Sequence, residues 1–113
     1  MIAELCLVAS IYHASLDGRM MAGGQLYRHQ KLSCAHKTFP FGTLITVAKG
    51  NRRIVLPVTD RGPFIEGRSL DVSGAAAKWL RMDGVHKLKV LRVVKPERII
   101  GARGVNPCAA TQK

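Results

Sequence analysis

The chain has 113 residues, 47% of them hydrophobic and 22% charged, which is enough apolar material for one packed domain and argues against wholesale disorder. Lys and Arg number 18 against 7 Asp and Glu, and the resulting formal charge of +11 favours an anionic partner: nucleic acid, an acidic membrane surface or a polyanionic cell-wall polymer. The longest apolar stretch, around Cys6 to Ile11, falls far short of the roughly 20 residues that a membrane-spanning helix needs.

Residues 1–11 are interrupted by Glu4 and no basic segment precedes their apolar run, so a complete secretory signal is not expected; either the start is truncated or export is not encoded here. Gly, Pro and Asn then recur about every dozen residues, a spacing that suits many short strands and predicts a mainly β domain. Thr43 to Ala48 reads as a strand, Lys49-Gly50-Asn51-Arg52 as a tight turn, and Arg53 to Val58 as the returning strand, with Pro57 marking an edge or a bulge. Ser73 is a predicted N-cap for a helix that starts in Gly74-Ala75-Ala76-Ala77, carries Lys78 and Arg81 toward its end and is expected to stop at Gly84, with Trp79 and Leu80 turned to the core. Lys87 to Val94 alternates cations with Leu88, Val90 and Val93 and breaks the alternation at Leu91, which predicts a strand with a bulge. The predicted domain covers residues 9–95, with 96–113 as a C-terminal extension.

Two segments are denser in special residues than a plain β domain requires: Ser33 to Thr43, containing His36 before a Pro40/Gly42 turn, and Val58 to Phe64, where Asp60 ends a strand at Gly62-Pro63. Titratable groups on rigid turns at strand ends are where sites tend to be built. Each also has a simpler reading, Asp60 as a turn cap and His36 as a hydrogen-bonded structural residue. Asp71 stands just before the predicted helix, where its free amides and dipole would account for it. His13, His29 and His86 have no ligand spacing, and no metal or cofactor is implied. Cys6, Cys34 and Cys108 are odd in number and widely spaced; small buried thiols are the simplest reading, and a single bridge stays open.

Ala9-Ser10-Ile11-Tyr12-His13, then Ala35-His36-Lys37-Thr38-Phe39-Pro40-Phe41-Gly42-Thr43, Asp60-Arg61-Gly62-Pro63-Phe64 and Gly67-Arg68-Ser69-Leu70-Asp71-Val72-Ser73 with the Ala-rich run together resemble the rare lipoprotein A (RlpA-like) family, over about Ala9 to Val94. The resemblance implies a six-stranded double-psi β-barrel with one or two short helices. It implies a lytic transglycosylase of peptidoglycan that cuts glycan strands lacking stem peptides, or a barrel that binds such strands without cleaving them, as in expansin-like relatives. It implies a periplasmic or cell-envelope setting and a monomer, with membrane attachment only through a lipid anchor on a precursor. It places the catalytic acid at Asp60 and the essential histidine at His36, and the substrate-contacting set at Gln25, Tyr27, Arg28, Lys37, Thr38, Arg61, Phe64, Arg68 and Asp71. The sequence departs from the family pattern in one loop, where the usual acidic pair is replaced by Gln25 and Arg28, a change that points to a weakened enzyme or a binder.

The implied chemistry needs one carboxyl group. The C6 hydroxyl of muramic acid attacks the anomeric carbon in place of water, so Asp60 first protonates the leaving oxygen and then receives the hydroxyl proton. For this Asp60 must hold a proton part of the time, which calls for apolar cover, expected from Phe64 and Phe39 or Phe41. His36 is expected to bond Asp60 or to steady charge on the sugar. Arg28, Lys37, Arg61 and Arg68 are expected to meet the lactyl carboxylates of the glycan. A nucleic-acid partner is disfavoured, because the cations are dispersed and the aromatics form no stacking platform.

Overall fold

A computed structural model describes residues 5–96. Six strands, β1 (Leu5–Ile11), β2 (Cys34–His36), β3 (Leu44–Lys49), β4 (Arg52–Asp60), β5 (Leu70–Val72) and β6 (His86–Val94), close into a barrel in the order β1-β5-β2-β4-β3-β6. The β1/β5 and β2/β4 pairs are parallel and the other four antiparallel. One helix, α1 (Gly74–Leu80), connects β5 to β6 and packs on β4. The six-stranded barrel implied by the resemblance is therefore the observed fold.

Period-two alternation fills the barrel. Ile45 and Val47 of β3, Leu56 and Val58 of β4, Leu70 and Val72 of β5, and Leu88 of β6 are all fully buried, and Ala76, Ala77 and Leu80 bring α1 onto the same core. A closed barrel leaves no unpaired strand edge. The hairpin turns at Gly50-Asn51 as expected, with Gly50 at φ +61°, a conformation that favours glycine. In β6 the pairing steps from Thr46↔Arg92 to Val47↔Val90, so Leu91 is the bulged residue that the broken alternation predicted.

Four local expectations need correction. β4 does not end at Val58: it runs through Pro57 to Asp60, and the irregularity signalled by the proline lies one residue beyond Val58, opposite β2. The helix stops at Leu80, with Arg81 in the left-handed region at φ 59°, well before Gly84. Asp71 belongs to β5 and does not serve the helix, whose first turn holds no acid; Ser73 caps it instead, its Oγ accepting from the Ala76 amide at 3.4 Å. Trp79 is 49% exposed, so it is not a core residue. Of the thiols, Cys34 is buried, which pushes it up to about 12, while Cys6 is exposed; both are free, and Cys108 lies outside the described residues, as does the predicted extension apart from Pro96.

Candidate active site

The site grows from one row of residues lying side by side on four strands: Ser10 pairs with Asp71, Asp71 with Ala35, and Ala35 with Asp60. Their neighbours Ala9, Leu70 and Cys34 are fully buried in the barrel, so by alternation Ser10, Asp71 and Ala35 point away from its interior, where Ala35 is covered in a second cluster with Tyr12, Met21 and Tyr27. Asp60 joins the row only through the β2/β4 irregularity. Strict alternation from Val58 would turn Asp60 inward, but the register steps from Cys34↔Val58 to Ala35↔Asp60, and the extra residue Thr59 re-aims the carboxylate. Ala35 thus forms a small floor between two acids whose backbones, two strand spacings apart, are separated by about 10 Å.

Three donors from three segments hold Asp60. The Tyr12 hydroxyl donates to Oδ2 at 2.7 Å, and the Ala22 and Arg61 amides donate to Oδ1 at 2.8 and 2.9 Å. Tyr12 continues the line of β1, its amide bonded to the Val72 carbonyl at 2.9 Å and its ring packed 4.4 Å from that of Tyr27. Burial, then the bond to Asp60, then the charges of Asp60 and Asp71 all push the Tyr12 phenol far up, so its proton stays available for donation. Ala22 sits in a turn closed by Met21 N to Gln25 O at 2.7 Å and sewn to β4 by Gly23 N to Thr59 O at 3.0 Å. A Cβ on Gly23 would stand 2.5 Å from the Thr59 carbonyl oxygen, so only glycine lets this turn approach the strand.

His36 ends β2, next to Ala35, the residue that pairs with Asp60. The expected His36 bond to Asp60 is not formed. Nδ1 instead accepts the Thr38 and Phe39 amides at 3.1 and 3.0 Å, and the ring stacks on Phe39 with centroids 3.8 Å apart. Burial first, then the charges of Arg61, Lys95 and Lys37, hold His36 below the usual histidine range. The ring is therefore neutral near pH 7, with its proton on Nε2. Arg61 fixes this loop from beneath, donating to the Phe39 carbonyl at 2.8 Å and the His36 carbonyl at 3.3 Å while its guanidinium lies 4.0 Å from the Phe41 ring centroid.

The remaining expected residues separate into two groups. Asp71 accepts from the Ser10 hydroxyl within the row. Lys37 and Thr38 are exposed beside His36, and Arg68 lies two residues before β5. Tyr27 is 1% exposed, beneath Tyr12 rather than on the surface, with its hydroxyl engaged by His29 Nδ1 at 2.7 Å and by the Gly74 amide at 3.2 Å. Arg28 pairs with Asp17 at 3.7 Å and lines a separate concavity with Lys31. Phe64 is 84% exposed, Phe41 lies against Arg61 and Phe39 against His36, so the apolar cover expected over Asp60 is not what surrounds it. Tyr12, Ser10 and the Ala22 amide escaped notice as site groups. The first two carried a signal: alternation in Ala9-Ser10-Ile11-Tyr12 puts both hydroxyls on one face.

A family model described as lytic transglycolase, of double-psi β-barrel type, matches residues 4–93. The chain is similar to the endolytic peptidoglycan transglycosylase RlpA of Pasteurella multocida, 35% identical over 101 residues covering 84% of this chain and 34% of that protein. It resembles the protein of the same name from Haemophilus influenzae at 38% identity, over 84% of this chain and 35% of the relative. A probable endolytic peptidoglycan transglycosylase RlpA of Aquifex aeolicus is 44% identical over 74% of this chain and 40% of its own length. The chain spans a little over a third of these relatives.

Proposed function

Because the chain belongs to the lytic transglycolase family, we propose that it cuts peptidoglycan glycan strands lacking stem peptides, leaving 1,6-anhydromuramic ends, and that it does so in the cell envelope as a monomer. The observation that carries this reading is the Asp60 carboxylate, presented on the outer face of the barrel and held by donors from three separate segments. Asp60 and His36 lie outside both the cleft beside α1 and the concavity lined by Asp17, Arg28 and Lys31.

In the first step Asp60 gives its proton to the departing glycosidic oxygen as the bond to the anomeric carbon breaks. The C6 hydroxyl of the same muramic residue then bonds to that carbon, and its proton passes to Asp60, restoring the acid. Tyr12 serves both states of the acid. Its hydroxyl donates to the carboxylate and by rotation accepts from the carboxylic acid, so neither form lacks a partner. Neutral His36 offers Nε2–H to oxygen atoms of the bound sugar, and Lys37 and Arg68 meet the lactyl carboxylates. Arg61 and Arg28 do not join them, the first being committed to loop carbonyls and the second to Asp17.

A non-catalytic glycan-binding barrel is the second reading, prompted by Gln25 and Arg28. Against it, none of the three donors to Asp60 is a side chain of either residue, so the substitution leaves the hold on the acid in place. Mass spectrometry of products from denuded sacculi tests the choice. The protein should release anhydro ends, and Asp60→Asn should release none while melting at the same temperature. Undiminished release by that variant rejects the assignment of Asp60, and binding without product by the unaltered protein selects the second reading.

A further inference from the structure

At the other end of β4 lies a cleft of about 770 Å³, within the roughly 300–1,000 Å³ range of ligand sites, where α1 packs over the start of the strand. Arg52, Lys78, Trp79 and Arg81 line it, with His29 at its far side. Arg52 opens β4 and Asp60 closes it; eight steps of about 3.3 Å put the two about 26 Å apart, so this cleft is not an extension of the acid's site.

Trp79 is what makes the cleft more than a gap between elements. A tryptophan placed for packing would be covered, whereas this one is half exposed and still fixed in orientation. Its indole Nε1 donates to the Arg53 carbonyl at 3.0 Å, the Arg52 guanidinium lies 4.9 Å from the ring centroid, and the same guanidinium donates to the Trp79 carbonyl at 3.2 Å. A half-exposed ring fixed in this way, with Arg52 over it, binds a ligand on its free surface at reduced ordering cost. Around it, among the described residues, no carboxylate lies within ion-pair distance of Arg52, Lys78 or Arg81. Exposed aromatic area beside uncompensated cations matches a ligand with apolar ring faces and regularly placed anions.

We propose that this cleft is an accessory binding site for carboxylate-bearing glycan, a sugar ring stacking on Trp79 and lactyl carboxylates meeting Lys78 and Arg81. The choice of glycan rests on the function proposed above, and it is favoured over nucleic acid because a single aromatic side chain offers no track for successive bases. A strand long enough to reach from this cleft to Asp60 would be held at two points, which raises the local concentration of cleavable bonds at the acid.

Affinity for soluble denuded glycan, measured in the Asp60→Asn protein, separates this site from turnover. Adding Trp79→Ala or Lys78→Glu should weaken binding about tenfold, the size of one lost charge-assisted or stacking contact. Arg92→Glu on β6, an equal change of charge away from the cleft, should leave it within about twofold. Lys78 is exposed, so Lys78→Glu decides the matter if Trp79→Ala lowers the melting temperature. Equal losses for Lys78→Glu and Arg92→Glu, no loss for Lys78→Glu, no glycan binding at all, or equally tight cleft-dependent binding of random oligonucleotides at the same salt would each overturn the proposal. Failure of the unaltered protein to make anhydro ends bears on the proposed enzymatic activity alone.

Discussion

Asp60 shows how little of a catalytic side chain's character resides in the side chain itself. Its two oxygens are oriented by a phenol from the end of β1, an amide from the turn around residues 20–26 and the amide of its own successor. Tyr12 is the only one of the three that a substitution can remove without disturbing the backbone. Tyr12→Phe keeps the ring packed against Tyr27 and deletes only the hydroxyl. Hydrogen bonds to charged groups contribute about 1.5–3 kcal/mol, so the rate of anhydro-end release should fall about 10- to 100-fold. The melting temperature should fall as well, by roughly 4–8 °C per kcal/mol lost, so the two rates are compared where both proteins are folded. A rate within twofold of the unaltered protein would show that the two amides alone orient the acid.

At the scale of elements, the segment of residues 17–33 is what brings the Ala22 amide to Asp60, and it is docked on α1 through His29. The His29 carbonyl accepts the Ala75 amide at 2.8 Å, its own amide reaches Asp17 at 2.8 Å, and its Nδ1 is tied to the Tyr27 hydroxyl. That ring cannot swing aside freely, and a Cβ on Gly74 would fall 2.2 Å from its Nε2. Gly74→Ala should therefore destabilise the domain by about 1–3 kcal/mol, as overpacked sites do, with the melting temperature falling roughly 4–8 °C per kcal/mol in a domain of this size. Adding His29→Ala removes the obstructing ring, and calorimetry should show the double variant melting above Gly74→Ala alone. A double variant that melts lower still would mean that the docking bonds of His29 outweigh the clash.

What was legible at this scale follows from whether the cause is local. The hairpin around Gly50-Asn51, the strand from Lys87 with its bulge at Leu91, and the Ser73 cap announce themselves through alternation, turn residues and capping chemistry, all within a few positions of the chain. Asp60 and His36 stood out for the same reason, each preceding a Pro/Gly turn. The hydroxyl on Asp60 comes from 48 residues away, and the re-aiming of Asp60 depends on its register against β2, so neither leaves a local trace. Trp79 was misread because a helical aromatic beside leucine suits a core face, while the helix ends early at Arg81 and leaves the ring at the rim of the cleft.

On the scale of the whole molecule the dominant quantity is charge. At +11 the chain already carries self-repulsion, and its net charge only becomes more positive as the pH falls. His36 adds a local effect of the same sign. Its folded-state affinity for protons is held below the ordinary value near 6.5, so the stability it contributes is fully present above that pH and is lost as the pH falls toward its folded pKa. Physically, a proton on Nδ1 would break the bonds from the Thr38 and Phe39 amides. The lowered Asp83 carboxyl, bonded to His86, acts below the ordinary carboxylate range and so outside this window. Melting temperature should thus decline between pH 7 and pH 5. Salt distinguishes the two causes, because repulsion across the surface is screened within about 3 Å at 1 M whereas the loss at half-buried His36 is not. The decline should shrink but persist in high salt for the unaltered protein, and His36→Gln, whose amide oxygen can still accept the loop amides, should flatten what persists. An identical slope in that variant at high salt would remove His36 from the account and leave net charge alone to explain the acid sensitivity.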